Sequence, residues 1–425
     1  MTTVTHGARM RMVRVCTILS VFVSVFLAGC GGGAGSGGIK AGPGVDTAKK
    51  TIDLGILTPL SGPVAAPIGV PLTKGIETYF QSVNANGGID GYKINLVEKD
   101  SQYNPQIQVQ QYNQIHNNVL MLAESLGSPT TQAIVQLATR DQMLVSAASL
   151  DSILARQQYM ILIGTPYRLQ VENGLDYVVN KLGDKGAKVG IISQDDAYGQ
   201  DGLKGYQEAI SCYGLNDVAK ATYELTDTTF TAQVSAMKQA GAKYVILTAI
   251  PTAAAGIIGA AAQLNYFPHW ILNSPAWANG LLGVSQQFTG LLEQTVWVVS
   301  QGATWGDTSQ PGMAAMMSDV QKYAPDQKPD GYFEFGYAEA KVTAAILKKA
   351  IENKDLTRAG LLKAFNSLNT VDLGGLLPTA HYGSAPNDRV PTRDSSVYGI
   401  DTTIPNNFKN LSGDFTGSCA TQSQF

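Results

Sequence analysis

From Thr51 onward the chain alternates short apolar, β-branched runs with longer segments of helical periodicity, and few architectures can bury such a pattern. Residues 52–57 read as a strand, after which Ile76, Tyr79, Phe80 and Val83 mark one helical face by their spacings of 3, 4 and 7. Further strands are expected at 94–97, 119–122 and 143–145, with polar helical segments between them. A second series starts at 188–192, passes through a helix carrying Leu203, Tyr206 and Ile210, and reaches a strand at 244–247. Strand, helix, strand in repetition implies parallel sheets covered on both faces, because each crossover lays its helix over the sheet. The fold class is therefore α/β, with two similar Rossmann-like lobes. An apolar strand at 296–299, followed much later by a helix with Val342, Ile346 and Ala350, suggests that the chain recrosses between the lobes.

What precedes Thr51 is built differently. Arg9, Arg11 and Arg14 lead into an apolar run at 15–28 that is too short for a membrane span and has the flanks of an export signal. It ends in Leu27-Ala28-Gly29-Cys30, which resembles the lipobox of bacterial lipoproteins. That resemblance implies loss of residues 1–29, diacylglycerol on the Cys30 thiol and a body held outside the cytoplasm on the cell membrane. Acyl chains contribute roughly 0.8 kcal/mol per buried methylene, so several suffice without a spanning helix. The plainer alternative is an ordinary cleaved signal with Cys30 incidental. Residues 30–49, rich in glycine, read as a tether, and ~20 such residues would span roughly 25 Å.

Residues 1–29 hold three arginines and no acid, so their removal takes the net charge from −3 to −6. A nucleic-acid partner is thereby disfavoured. His116, His269 and His381 stand singly, which supports neither a zinc site nor a histidine-dependent hydrolase. Ser235-Ala236-Met237-Lys238 has the spacing of penicillin-recognising enzymes, but it lies in a helical run whose Phe230, Val234 and Met237 face inward. No phosphate loop is present, so no cofactor is expected and any ATPase is a separate protein. Cys212 and Cys419 remain as thiols, either bridged in an oxidising exterior or unpaired.

In open α/β sheets ligands bind beyond the carboxyl ends of the strands. The loops there are Thr58-Pro59-Leu60-Ser61-Gly62-Pro63, Gly127-Ser128-Pro129-Thr130-Thr131-Gln132, Val145-Ser146-Ala147-Ala148-Ser149 and Gln194-Asp195-Asp196-Ala197-Tyr198-Gly199. With Asn84-Ala85-Asn86-Gly87-Gly88-Ile89-Asp90-Gly91, these segments resemble the type I periplasmic substrate-binding proteins of ABC transporters, specifically the branched-chain amino-acid binding group. The likeness runs from about Thr51 to Asp401. It implies two lobes joined by three crossovers, closing on a small solute and presenting it to a membrane permease. The expected division is 50–168 with 300–372 for the first lobe and 169–299 with 373–425 for the second. Gly374-Gly375-Leu376 resembles the third crossover, and a last strand is expected at 397–401.

The resemblance implies site residues as well. Ser128 falls where the family binds the ligand's carboxylate, with Thr130 beside it, although both could instead cap the following helix. Ala147 and Ser149 match the next carboxylate- and ammonium-binding loop, where an apparent one-residue deletion blurs the positions. Tyr198 matches an aromatic that closes from the second lobe, while Asp195 and Asp196 read as caps. Pro275 stands at or beside the acid that pairs with an amino acid's ammonium, and Ile250 replaces a tyrosine. Both changes make the second lobe less polar, which favours a ligand with a carboxylate but no α-ammonium, such as an aromatic or aliphatic acid. Trp277 is either a wall of that site or core. Ser61 is expected to shape its turn.

A transport receptor without catalytic activity is the leading reading. A sensory lipoprotein acting on a membrane signalling partner is the alternative, and an enzyme grafted on the same lobes would have to turn its ligand over.

Overall fold

The computed structural model describes residues 38–383, 389–404 and 407–425. The export signal, Cys30 and the first glycines of the tether lie outside these residues. Among the described residues no helix is long and apolar enough to cross a membrane.

Two sheets organise the body. In the first, parallel strands run in the spatial order Lys93–Asp100, Thr51–Thr58, Leu122–Leu126, Val145–Ala148, Met160–Ile161. In the second the parallel order is Asn216–Tyr223, Lys188–Gln194, Tyr244–Thr248, His269–Asn273, Val296–Ser300. Numbered by sequence within each sheet, both orders read 2-1-3-4-5, and in both the strand order reverses beside the first strand, where a crevice opens at the carboxyl ends. Ser396–Ile400 and Phe408–Asn410 then extend the second sheet in antiparallel fashion.

The segment 30–49 is not a tether throughout. Lys40–Ala41 pairs in parallel with Asp355–Leu356, and Val45–Asp46 pairs antiparallel with the start of Thr51–Thr58. Gly44, at φ 72°, makes the turn between the two. Backbone hydrogen bonds thus dock the chain from Lys40 onward, whereas composition had extended the free segment to Lys49.

Helices Val70–Ala85 and Gly331–Glu352 pack closely on the first sheet's side. A Cβ on Gly75 would lie 2.0 Å from the Phe333 carbonyl oxygen, and one on Gly336 would lie 2.0 Å from that of Leu72. Only glycine at both positions permits this approach, which brings the amino-terminal turns of the two helices together at the cleft.

The connections between the sheets meet at Thr165. Its amide donates to Gln301 Oε1 at 2.7 Å and its hydroxyl reaches the Asp394 carbonyl, so one residue ties all three crossings. The third crossing therefore falls near Asp394 and not at Gly374-Gly375-Leu376. Val371 pairs with Ala380, the Tyr382 hydroxyl donates to the Leu162 carbonyl at 2.9 Å, and Arg389 reaches Asn366 at 2.7 Å, all on the first lobe. The two glycines serve instead as a turn packed against the second crossing, at Gly302 and Gly312. Helix Tyr167–Asp176, in turn, packs on the second sheet, so the first crossing precedes Tyr167.

The tail folds back on that helix. Gly417 N donates to Asn173 Oδ1 at 2.8 Å, and Ser423 Oγ donates to the buried Glu172 at 2.9 Å. Cys212 and Cys419 are free thiols, not a bridge, yet they are neighbours: burial pushes the Cys419 thiol up, and contact with the Cys212 thiol adds to it.

Candidate functional site

A cavity of about 1340 Å³, part of it open to solvent, lies between the lobes where the strand ends face each other. The cleft is drawn shut around it by bonds from one lobe to the other. The Tyr332 hydroxyl donates to the Pro275 carbonyl at 2.7 Å, Asn279 Nδ2 to the Pro329 carbonyl at 2.8 Å, and the Tyr103 hydroxyl to Asp196 Oδ2 at 3.2 Å.

Ser128 lines the cavity at the start of helix Ser128–Arg140, behind Gly127, whose φ of 100° is a backbone region that suits glycine. Its hydroxyl lies 2.8 Å from that of Ser149. Two hydroxyls carry two protons and their mutual bond uses one, so the pair keeps a donor for a ligand. The helix start has no side-chain cap, so Ser128 is not spent in that role.

The sequence expectations for the neighbouring positions need correction. Thr130 does not reach the cavity, because its hydroxyl turns back to the carbonyls of Leu126 and Gly127. Ala147 is fully buried under the sheet, while Ala148 and Leu150 line the cavity. Alternation along strand Val145–Ala148 explains the shift, since successive side chains point to opposite faces. Ser149 acts behind the wall, holding Ser128 and accepting from Asp151 N at 3.3 Å.

Tyr198 lines the cavity from the second lobe. Its hydroxyl donates to Asn273 Oδ1 at 2.6 Å, and its ring meets Tyr167 edge to face with centroids 4.8 Å apart. Asp196 caps its helix by accepting from Tyr198 N and Gly199 N, and burial holds its carboxyl above the usual range despite those bonds. Ile250, Pro275 and Trp277 all stand in the wall. Trp277 gives its indole N–H to Asn279 at 3.0 Å and packs on Phe408, which packs on Tyr398. Ser61 points elsewhere, bonding Asp100 at 2.6 Å, as a turn residue does.

Sequence reasoning missed Tyr103, Tyr167, Trp305, Tyr332 and Glu334, all of them in the wall. No Lys, Arg or His lines the cavity among the described residues, and its acids are Asp330 and Glu334. Asp330 caps helix Gly331–Glu352 through Tyr332 N and Phe333 N, and burial pushes it up to about 6. Burial pushes Glu334 well above the carboxylate range, and the nearby Asp330 adds to this. Such a cavity is apolar, aromatic and short of fixed charge. It can enclose a hydrocarbon or aromatic body and offer hydroxyls to one polar head, but it holds no nucleophile paired with a base. Among the described residues no acidic, cysteine or histidine cluster could hold a metal ion.

A family model described as periplasmic binding protein matches residues 51–405. Leu/Ile/Val-binding protein homolog 3 of Brucella melitensis is 31% identical over 204 residues, which are 47% of this chain and about half, 54%, of that relative. Leu/Ile/Val-binding protein homolog 7 of Brucella abortus is 26% identical over 374 residues, covering 84% of this chain and 90% of that protein. Among solved structures, a fatty acid ABC transporter substrate-binding protein from Thermomonospora curvata superposes with a TM-score of 0.83 at 29% identity, over 91% of this chain and 97% of that one.

Proposed function

Because this chain belongs to the periplasmic binding protein family, we propose that it is the extracytoplasmic solute receptor of an ABC importer, and that its solute is a largely apolar carboxylic acid. The observation that carries the ligand class is the cavity wall. It is aromatic and aliphatic and, among the described residues, has no cation. Ile250 and Pro275 stand in it where an amino-acid binder keeps a tyrosine and an acid, so an enclosed α-ammonium would lack its counter-charge on that lobe. The name of the Thermomonospora relative agrees with an aliphatic acid, and those of the Brucella relatives with amino acids. The Ser128 hydroxyl, held by Ser149 behind it, and the open helix start receive the acid head, and Tyr198, Ile250 and Trp277 cover the apolar body.

Transport follows from closure. A solute touching both lobes favours the closed form by the difference between its affinities for closed and open states. The permease then reads the closed form. Cys30, through its lipid, keeps the receptor beside that permease.

Mass spectrometry of the solute released from purified protein, followed by calorimetry with decanoic acid, phenylpropanoic acid and leucine, tests the ligand class. Micromolar or tighter leucine binding without binding of either acid refutes it. Replacement Cys30→Ser should release the protein from the membrane fraction, and retention there refutes the anchor.

A further inference from the structure

Besides the Ser128 hydroxyl, the cavity wall holds a carboxyl that a hydrocarbon cannot satisfy. Glu334 stands in the first turn of helix Gly331–Glu352, 7% exposed and lining the cavity. Three polar groups of the same wall are already engaged. Asp330 accepts from Tyr332 N and Phe333 N at 2.8 and 3.1 Å, the Tyr398 hydroxyl donates to the Gly302 carbonyl at 2.9 Å, and the Tyr332 hydroxyl donates to Pro275. Burial and the charge of Asp330 are the influences on the Glu334 carboxyl, with no hydrogen bond among them.

We infer that the solute carries, besides the acid head taken at Ser128, a hydroxyl taken by the Glu334 carboxyl. This rests on the apolar-acid reading above and narrows it to hydroxylated aliphatic or aryl-aliphatic acids. A plain alkyl chain entering the cavity strips water from Glu334 and returns nothing, which leaves a buried polar group unpaired. Sites built around such a group reject analogues that lack its partner. A carboxyl that keeps its proton both donates and accepts, as a hydroxyl does, so the two are complementary.

The test is calorimetry with two pairs of probes, decanoic acid against 10-hydroxydecanoic acid and 4-phenylbutanoic acid against 4-(4-hydroxyphenyl)butanoic acid. The protein as purified, Glu334→Gln and Glu334→Leu are each compared, with thermal melting as the check on folding. The expected result is at least a tenfold preference for one hydroxylated probe over its parent, kept in Glu334→Gln and abolished or reversed in Glu334→Leu. Equal binding of parent and hydroxylated probes by the unaltered protein overturns the inference while leaving the apolar-acid reading in place. A preference that survives Glu334→Leu also overturns it, as does tighter binding of 10-aminodecanoic acid, which calls for a charged carboxylate instead. Failure of all these acids to bind, with leucine bound, overturns the inference and the reading beneath it together.

Discussion

Replacing Ser128 by alanine separates its two roles, because the structure assigns each a different energy. In the fold, its hydroxyl meets only that of Ser149, at 2.8 Å, and Ser149 retains the Asp151 amide at 3.3 Å. Loss of one neutral hydrogen bond whose partner keeps another costs folding about 1 kcal/mol. Toward an ionised ligand head the same hydroxyl makes a charge-assisted bond, worth roughly 1.5–3 kcal/mol. By the affinity relation this weakens the dissociation constant roughly 10- to 150-fold. The contrast between the two readouts makes the experiment decisive. Calorimetry with the acid that copurifies should show the large loss, and urea denaturation of the unliganded protein should show the small one. Ser149→Ala should weaken binding less, since Ser128 keeps its donor and loses only its orientation. The two changes should also combine less than additively, as expected for contacting residues. An unchanged dissociation constant in Ser128→Ala would refute the assignment of the acid head to this end of the cavity.

Other perturbations follow from the same geometry. Tyr332→Phe removes the cross-cleft bond to the Pro275 carbonyl; at roughly 0.5–1.5 kcal/mol this should weaken ligand binding about 2- to 12-fold with no change in the number of sites, and unaltered affinity would show that closure does not draw on it. Gly336→Ala places a Cβ 2.0 Å from the Leu72 carbonyl oxygen, so urea denaturation should show a loss of about 1–3 kcal/mol, as for other overpacked contacts; full stability would mean the helices separate at no cost. Burial pushes Glu124 up to about 8, above the roughly 4.3 of an unfolded glutamate. The folded state therefore holds a proton that the unfolded chain releases. Its contribution is complete below the unfolded value and is lost as pH rises from roughly 4.3 toward 8, by at most about 1.4 kcal/mol per unit. Denaturation at pH 5, 6.5 and 8 should show a shallower decline in Glu124→Gln than in the unaltered protein, and equal slopes would refute the sign.

The central strands were legible because they are buried on both faces, which leaves a short apolar run between helical segments, whereas the half-exposed strand Asn216–Tyr223 gave no such run. The crossings were less legible. Gly374-Gly375 has the composition of a hinge, but glycines serve equally in a turn against Gly302 and Gly312, and only long-range contacts such as Tyr382 with Leu162 place the true crossing near Asp394. The free tether was overestimated for a similar reason. Lys40–Ala41 is two residues long, and its partner strand lies more than 300 positions away, so no local period could reveal the pairing.

At the site, the strand-end rule pointed to the loops where an α/β fold gathers its ligand contacts, and the family resemblance singled out Ser128, Tyr198, Ile250 and Trp277 in them. Ala147 failed by one position, and one position along a strand reverses the face. The missed residues enter by another route, from helix starts and hinge segments brought in by the tertiary fold. Glu334 is the exception with a readable signal. It precedes Tyr337 and Ala338 by three and four residues, on the face that packs inward, directly after an Asp330 cap. An acid at a buried phase of an amphipathic helix is costly unless something is set against it. Glu334 is 7% exposed and lines the cavity, so on the inference above its partner arrives with the solute. A solute hydroxyl that replaces the water on this carboxyl as the lobes close favours the filled, closed form over the open one, and so couples recognition to closure.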